Sequence, residues 1–177
     1  MREMPQNRRR IKQWILFFTV CTVVVLLDQL TKAIVVRDLM PIGDYPLWKD
    51  VFHFTYVENT GAAWGMLKDA RWVFMVFSVI AIVGIAAILV FWKQITVLPG
   101  IALSMIAGGG IGNMIDRIVR KYVVDFLYFK LIRFPVFNVA DAFVCIGVAL
   151  LIIYMIHDSV HGARHTEKPE TGEDQHE

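Results

Sequence analysis

Two aspartates in the C-terminal half of the chain are the residues best placed to do chemistry. Asp125 and Asp141 lie sixteen positions apart, and each carboxylate is set in a strongly apolar run. Ionisable groups at the edge of hydrophobic segments are costly and are usually functional. Two carboxylates held close in a poorly solvated place share one proton, so one can activate water while the other polarises a carbonyl. The pair therefore predicts acid–base peptide hydrolysis, with two unrelated interfacial acids as the alternative.

The composition indicates what kind of protein positions these acids. Of the 177 residues, 56% are hydrophobic and 19% are charged, and the mean hydropathy is +0.54. A soluble domain has about 45–50% apolar and about 25% charged residues, so we interpret the chain as a membrane protein. The net charge of +2 is too small to suggest a nucleic-acid partner. Cys21 and Cys145 lie in apolar runs and are interpreted as core residues.

Four long apolar runs predict membrane-spanning helices at about residues 14–36, 72–92, 95–115 and 134–156, because about 20 apolar residues cross a bilayer. The predicted fold class is an all-α membrane protein with four transmembrane helices. Residues 37–71 form a predicted extracytoplasmic loop with a small β-rich region, since residues 51–57 are rich in β-formers and favour a strand or hairpin. We expect one membrane domain over residues 1–157 and a disordered cytoplasmic tail over residues 158–177.

The number of basic residues on each side does not by itself decide the orientation of these helices. Four helices place both termini on one side of the membrane, but Lys and Arg are almost equally divided between the two faces. Five basic residues in the first twelve favour cytoplasmic termini, because the first helix usually dominates orientation. The basic residues that follow the third helix depart from this rule and suggest contact with lipid headgroups or another anionic group.

The polar residues within and beside the predicted helices are expected at one membrane face. Asp28 and Lys32 have the i,i+4 spacing of a helical ion pair, and the alternative is a pair that only neutralises itself. Asp116 calls for a cationic partner such as Arg117 or Lys32. The other members of the set are Asn59 before the second helix, Asn113 and Arg117 at the end of the third, and Asn138 at the start of the fourth. Asn113 and Arg117 share a helical face, with helix capping as the alternative, and Asn138 is expected on the face of Asp141.

Two further patterns have plainer interpretations. The run Gly108-Gly109-Gly110-Ile111-Gly112 contains the small-xxx-small spacing that lets membrane helices approach closely, so packing is preferred over substrate contact. His157, His161 and His165 recur every four residues, which could present metal ligands on one face, but we favour a solvated tail. No metal and no cofactor is predicted, because the polar cluster contains no Cys and its only nearby His is His53.

Five ordered blocks of the sequence resemble lipoprotein signal peptidase (signal peptidase II), a family of bacterial membrane aspartyl proteases. They are Asp28-Gln29-Leu30-Thr31-Lys32, Asn59-Thr60-Gly61-Ala62-Ala63-Trp64, residues 108–117, Val123-Val124-Asp125-Phe126 and residues 134–141. The resemblance implies that Asp125 and Asp141 form the catalytic dyad. It places the supporting positions at Asp28, Lys32, Asn59, Gly109, Asn113, Asp116, Arg117 and Asn138. Gly110 departs from the family pattern, where alanine is common, and is expected to loosen helix packing slightly.

The resemblance also implies the biology of the protein. It implies a multi-pass protein of the bacterial cytoplasmic (inner) membrane with both termini cytoplasmic and the active site at the extracytoplasmic face. Its substrates would be prolipoproteins carrying a diacylglyceryl-cysteine, cleaved just before that cysteine. Membrane lipid and globomycin-type inhibitors would be further partners, and we expect a monomer. The length of the loop, Gly61 and Trp64 suggest a lid over the substrate.

Two other functions compete with a peptidase. A small proton-coupled carrier would also contain intramembrane acids, although a carrier needs polar residues near the midplane, whereas these gather at one end. A non-catalytic scaffold for lipidated proteins would tolerate amide substitutions at Asp125 and Asp141, which a protease would not.

Overall fold

The computed structural model describes residues 6–61, 69–91 and 95–166. Within these residues, four helices are long and apolar enough to cross a membrane, as the sequence predicted. They are α1 (Gln6–Ile34), α2 (Arg71–Phe91), α3 (Val97–Val119) and α4 (Val139–Thr166). Three strands accompany them: β1 (Asp44–Trp48), β2 (Phe52–Asn59) and β3 (Val123–Phe129). The protein is therefore mostly helical, with a small sheet at one end of the bundle.

Helix α3 lies at the centre of the bundle and contacts each of the other three helices. Its contact with α4 is close because of glycine. A Cβ atom at Gly109 would lie 2.5 Å from the carbonyl oxygen of Ala140, and one at Gly147 would lie 2.7 Å from that of Ala102. The predicted role of the glycines in helix packing is therefore confirmed for Gly109. Gly110 is different, since a Cβ there would meet nothing within 4 Å, so the expected loosening of packing at Gly110 is wrong.

The three strands form one antiparallel sheet in the order β1-β2-β3. A strand or hairpin was expected within residues 51–57, and the β1–β2 hairpin contains it. The third strand, β3, was not predicted. It pairs with β2 so that Asn59 lies opposite Val123 and Val57 lies opposite Asp125. Val124 and Phe126 of β3 pack against the end of α1, which continues past Ile34 as one π-helical segment, Val35–Leu39.

Helix α4 begins later than predicted, and this changes the surroundings of the site. Its first residue is Val139 rather than residue 134. Phe137 exchanges two backbone hydrogen bonds with Leu127 of β3, at 3.0 and 2.8 Å, so residues 134–137 are held beside the sheet and cannot be helical. The other helices also differ: α1 begins at Gln6, and α3 ends at Val119 instead of residue 115.

The C-terminal end of α4 also departs from the prediction. The helix continues to Thr166, into the segment expected to be a disordered tail. No proline occurs between the apolar part of α4 and Pro169, so the ladder of backbone hydrogen bonds can continue beyond the membrane-spanning part. Residues 167–177 lie outside the described part of the chain, and so does Trp64 of the suggested lid.

Candidate active site

The structure brings Asp125 and Asp141 together at the wall of one cavity of about 540 Å³. Asp125 lies on β3 and its side chain is 2% exposed. Asp141 lies in the first turn of α4. Because β3 and α4 are joined by the segment that folds back along β3, the two carboxylates reach the same place from different directions. Asn59, Asn113 and Arg117 line the same cavity.

Two asparagine side chains hold the carboxylate of Asp125. The Nδ2 group of Asn59 donates to one oxygen at 2.8 Å, and the Nδ2 group of Asn138 donates to the other at 2.6 Å. Asn59 is the last residue of β2, where the pairing with β3 places it beside the dyad. Both oxygens of Asp125 therefore have fixed donors, and the orientation of the carboxylate is set by two separate elements.

Asp141 is held by the start of its own helix and by α3. The backbone N–H of Asn138 donates to Asp141 at 3.1 Å, and the backbone N–H of Asp141 donates to the Asn138 side chain at 3.0 Å. This is a reciprocal capping box at a helix N-terminus. Asn138 thus precedes the helix instead of sharing a helical face with Asp141, which corrects the sequence interpretation. Asn113 adds a third hydrogen bond, from Nδ2 to Asp141 at 2.7 Å.

The electrostatics of the site favour a protonated carboxyl group at Asp125. Burial, and next to it the charge of Asp141, raise the pKa of Asp125 from 3.8 to about 7. The hydrogen bonds from Asn59 and Asn138 and the positive charge of Lys32 oppose this rise. A carboxyl group with such a pKa holds a proton part of the time at neutral pH, which is what a general acid needs.

A buried ionic network lies directly behind the two aspartates. Lys32 Nζ lies 2.9 Å from Asp28 and 3.0 Å from Asp116, and all three side chains are fully buried. The predicted i,i+4 pair is therefore present, and Lys32 is confirmed as a partner of Asp116. The same ammonium donates to Asn113 Oδ1 at 2.9 Å, so it also orients the amide that binds Asp141.

Each acid of this network also holds the backbone beside one member of the dyad. Asp116 accepts the backbone N–H of Val124, the residue before Asp125, at 3.1 Å. Asp28 accepts the backbone N–H of Ala140, the residue before Asp141, at 3.0 Å. One lysine thus links the two carboxylates that position the strand and the helix carrying the dyad.

Comparisons with known proteins agree with this architecture. The family described as signal peptidase (SPase) II matches residues 20–157. The chain belongs to the signal peptidase II family. It is 41% identical over 144 residues to the lipoprotein signal peptidase of Bacillus pumilus, covering 80% of this chain and 93% of that protein. It is 50% identical over 135 residues to that of Caldanaerobacter subterraneus subsp. tengcongensis, covering 75% and 90%.

Solved structures give the same result for the fold. A structure described as a bacterial membrane enzyme superposes with a TM-score of 0.74 at 29% identity, covering 91% of this chain and 94% of that one. A second, described in the same words, gives a TM-score of 0.71 at 32% identity, covering 80% and 93%. This signal peptidase II family member is therefore a multi-pass bacterial membrane protein of a peptidase family.

Of the eight supporting residues suggested for this signal peptidase II family member, Asn59, Asn113 and Arg117 line the cavity. Asn138 is joined to the site by its hydrogen bond to Asp125, and the other four lie elsewhere. Gly109 contacts Ala140 and Val144 of α4, so it sets the spacing of helices instead of lining the cavity. Asp28, Lys32 and Asp116 lie in the buried network and not at the cavity wall. Arg117 lines the cavity but does not pair with Asp116, whose second cation is Arg120, at 2.6 Å.

Several residues of the site were missed by the sequence interpretation. Arg120 lies four residues after Asp116 on one helical face, a spacing that could have identified it. The cavity wall also contains apolar side chains that had no predicted role, namely Phe74, Phe134, Pro135, Val136 and Phe137. Within the described residues, no group of three or more His, Cys, Asp or Glu side chains could hold a metal ion.

Proposed function

We propose that this protein is an aspartyl endopeptidase that removes the signal peptide from diacylglyceryl-modified prolipoproteins, cutting just before the lipidated cysteine. The observation that carries the proposal is the meeting of Asp125 and Asp141 in one cavity of a signal peptidase II family member. Its relatives in Bacillus pumilus and other bacteria are named lipoprotein signal peptidases. The catalytic roles of the two aspartates and the position of the cut are part of the proposal.

The mechanism follows from two carboxylates that share one proton. The ionised carboxylate removes a proton from a water molecule, and the resulting hydroxide attacks the scissile carbonyl carbon. The protonated partner donates a hydrogen bond, then the proton, to the carbonyl oxygen. Collapse of the tetrahedral intermediate breaks the C–N bond as a proton passes to the leaving amine, and the dyad returns to one shared proton. The raised pKa of Asp125 supports this arrangement at neutral pH.

Asn59, Asn113 and Asn138 are proposed to keep the dyad in this geometry throughout the reaction. Their amides donate to carboxylate oxygens at 2.6 to 2.8 Å, and none of them titrates near neutral pH. Lys32 holds the amide of Asn113 from behind. Asp28, Asp116 and Gly109 act on the backbone, through the N–H groups and the helix spacing described above.

The cavity wall suits a substrate that approaches through the bilayer. Phe74, Phe134, Pro135, Val136 and Phe137 present apolar surface, and apolar walls with a few convergent polar groups are typical of ligand sites. A signal helix with a lipid at its outer end would bring its scissile bond to this depth while the acyl chains stay in the membrane. We place both termini in the cytoplasm and the site at the extracytoplasmic face.

The test is cleavage of a purified diacylglyceryl-prolipoprotein in detergent by wild type, Asp125→Asn and Asp141→Asn. Asp69→Asn is the matched control, because it makes the same chemical change at an exposed carboxylate outside the site. We expect wild type and the control to cut, and both dyad variants to lose essentially all activity. Mass spectrometry of the product should show the lipidated cysteine as the new N-terminus.

Two further arms sharpen the test. The same prolipoprotein without the lipid should not be cut, and a globomycin-type peptide should inhibit the wild type. A folded dyad variant that still cuts would contradict the catalytic assignment. A wild type that binds the lipidated precursor without cutting it would instead favour the scaffold alternative.

A further inference from the structure

Arg117 is a cation at the candidate active site with an unusual set of partners. It lines the cavity with Asp125 and Asp141. Lys32 and Arg120 each pair with Asp116, but among the residues that the structure describes no carboxylate lies within ion-pair distance of the Arg117 guanidinium. Its hydrogen bond goes from Nη1 to the backbone oxygen of Asn113, one turn earlier, at 3.4 Å. Within the described part of the chain this is the one hydrogen bond of its side chain, and its length leaves the guanidinium weakly oriented.

The aromatic ring of Phe74 supplies the other contact. Arg117 Cζ lies over this ring, 4.9 Å from its centroid, which is within the range of a cation–π interaction. A guanidinium carries its five N–H donors at its edge, in the plane of the group. Because the ring attracts the positive charge of the group, this contact restrains the guanidinium without a conventional hydrogen bond. The donors that are not bonded to Asn113 remain available to the cavity that both residues line.

The position of Phe74 in α2 makes this contact more than local. The buried residues described for α2 are Ile85 and Leu89, in its second half. Near Phe74 the helix is largely exposed: Trp72 is 64% and Phe77 is 63% exposed. Phe74 is therefore the residue by which the outer end of α2 reaches the dyad cavity.

We propose that Phe74 is a positioning residue that holds the Arg117 guanidinium so that its N–H donors bind a carbonyl oxygen of the peptide near the scissile bond. The proposal rests on the proposed function for its kinetic consequence, but the contact itself does not depend on it. Phe74 thereby couples the placement of α2 to substrate binding. No proton or bond changes at either residue.

The kinetic test compares Phe74→Leu with Phe74→Tyr, because leucine keeps an apolar side chain but has no ring face. We expect Phe74→Leu to raise KM about tenfold with little change in kcat, the effect of losing a partly desolvated cation–π contact. Phe74→Tyr should stay within about threefold of wild type, since tyrosine also binds cations on its face. Phe77→Leu, one turn further along the exposed face of α2, is the matched control and should not change KM.

A double-variant comparison separates positioning from packing. In an Arg117→Gln background, Phe74→Leu should add less than about twofold, because residues that act through one contact are not additive. Full additivity of the two substitutions, or equal impairment by Phe74→Tyr and Phe74→Leu, would overturn the proposal.

A spectroscopic test does not need activity. In protein labelled with ¹⁵N-arginine, the side-chain resonance of Arg117, identified by its loss in Arg117→Lys, should shift in Phe74→Leu and stay near its wild-type position in Phe74→Tyr. An Arg117 resonance unchanged in Phe74→Leu would refute the contact. If the wild type fails to cut the prolipoprotein, the proposed function fails, and this spectrum still decides whether Phe74 holds Arg117.

Discussion

The buried carboxyl group of Asp125 should make the folded protein less stable as the pH rises. Its pKa is 3.8 in the unfolded reference and about 7 in the folded state. Below about pH 4 both states hold the proton. Between pH 4 and pH 7 the unfolded chain releases a proton that the folded protein retains, so the free energy of unfolding falls with increasing pH through this window and levels above it. Asp125→Asn removes the titrating group and therefore this dependence.

The size of the effect follows from the shift. The pKa of Asp125 rises by about 3 on folding, and a pKa difference of 1 corresponds to about 1.36 kcal/mol. The free energy of unfolding therefore falls by about 4 kcal/mol between pH 4 and pH 8. Asp125 is 2% exposed, so solvent screening reduces this figure little. The amide has one acceptor oxygen for the two donors from Asn59 and Asn138, which costs about 1–3 kcal/mol for the donor left unpaired. That cost is independent of pH, so it lowers the free energy of unfolding of Asp125→Asn equally at every pH and does not change its pH dependence.

Thermal unfolding in detergent micelles, followed by tryptophan fluorescence, tests this reasoning. Between pH 4 and pH 8 the Tm of Asp125→Asn should gain roughly 10 °C relative to wild type, because 1 kcal/mol corresponds to about 2–4 °C in a protein of this size. Asp69→Asn is the control variant, because it makes the same chemical change at an exposed position outside the site. Parallel curves for wild type and Asp125→Asn would refute the account, because they would mean that Asp125 does not bind a proton differently on folding.

Two substitutions in the supporting structure give further outcomes. Gly109→Ala places a Cβ 2.5 Å from the Ala140 oxygen, so overpacking should lower the free energy of unfolding by about 1–3 kcal/mol and abolish cleavage. Gly110→Ala meets open space and should stabilise α3 by up to about 1 kcal/mol. Equal Tm values for the two variants would contradict this. Lys32→Met leaves Asp116 without its fully buried cation and should lower stability by about 3–5 kcal/mol; a Tm equal to that of wild type would show that the network is not needed for folding.

The helices and the ion pair of α1 could be predicted because both are local. A run of apolar residues decides a spanning helix, and Asp28 and Lys32 meet because they are one turn apart. The strand β3 could not be predicted from local signals, although the alternating β-branched and aromatic residues around Asp125 are compatible with a strand. Its partner strand is remote in sequence: Asn59 and Asp125 are separated by 66 positions, and two spanning helices intervene.

The start of α4 shows how two local signals can compete. Proline is common in the first turn of a helix, so Pro135 favoured an early start of α4. Asn138 with Asp141 three residues later resembles a capping pair, which favours a start at Val139. The structure follows the second signal because Phe137 pairs with Leu127 of β3. Only the sheet decides between the two, and the sheet is a tertiary feature.

The buried network around Lys32 has to form in steps, because the chain is synthesised from its N-terminus. Helix α1 enters the membrane first, when Asp116 and Arg120 have not yet been made. An ionised residue within a spanning helix opposes insertion, by up to about 2.5–3.5 kcal/mol at the helix centre and by less toward the ends, so a helix carrying Asp28 or Lys32 alone would be retained less well. The i,i+4 pair lets α1 enter as a self-neutralised helix, and the arrival of α3 then turns that pair into a junction between helices. The two aspartates of the site are thus aligned only after the last helix is in place.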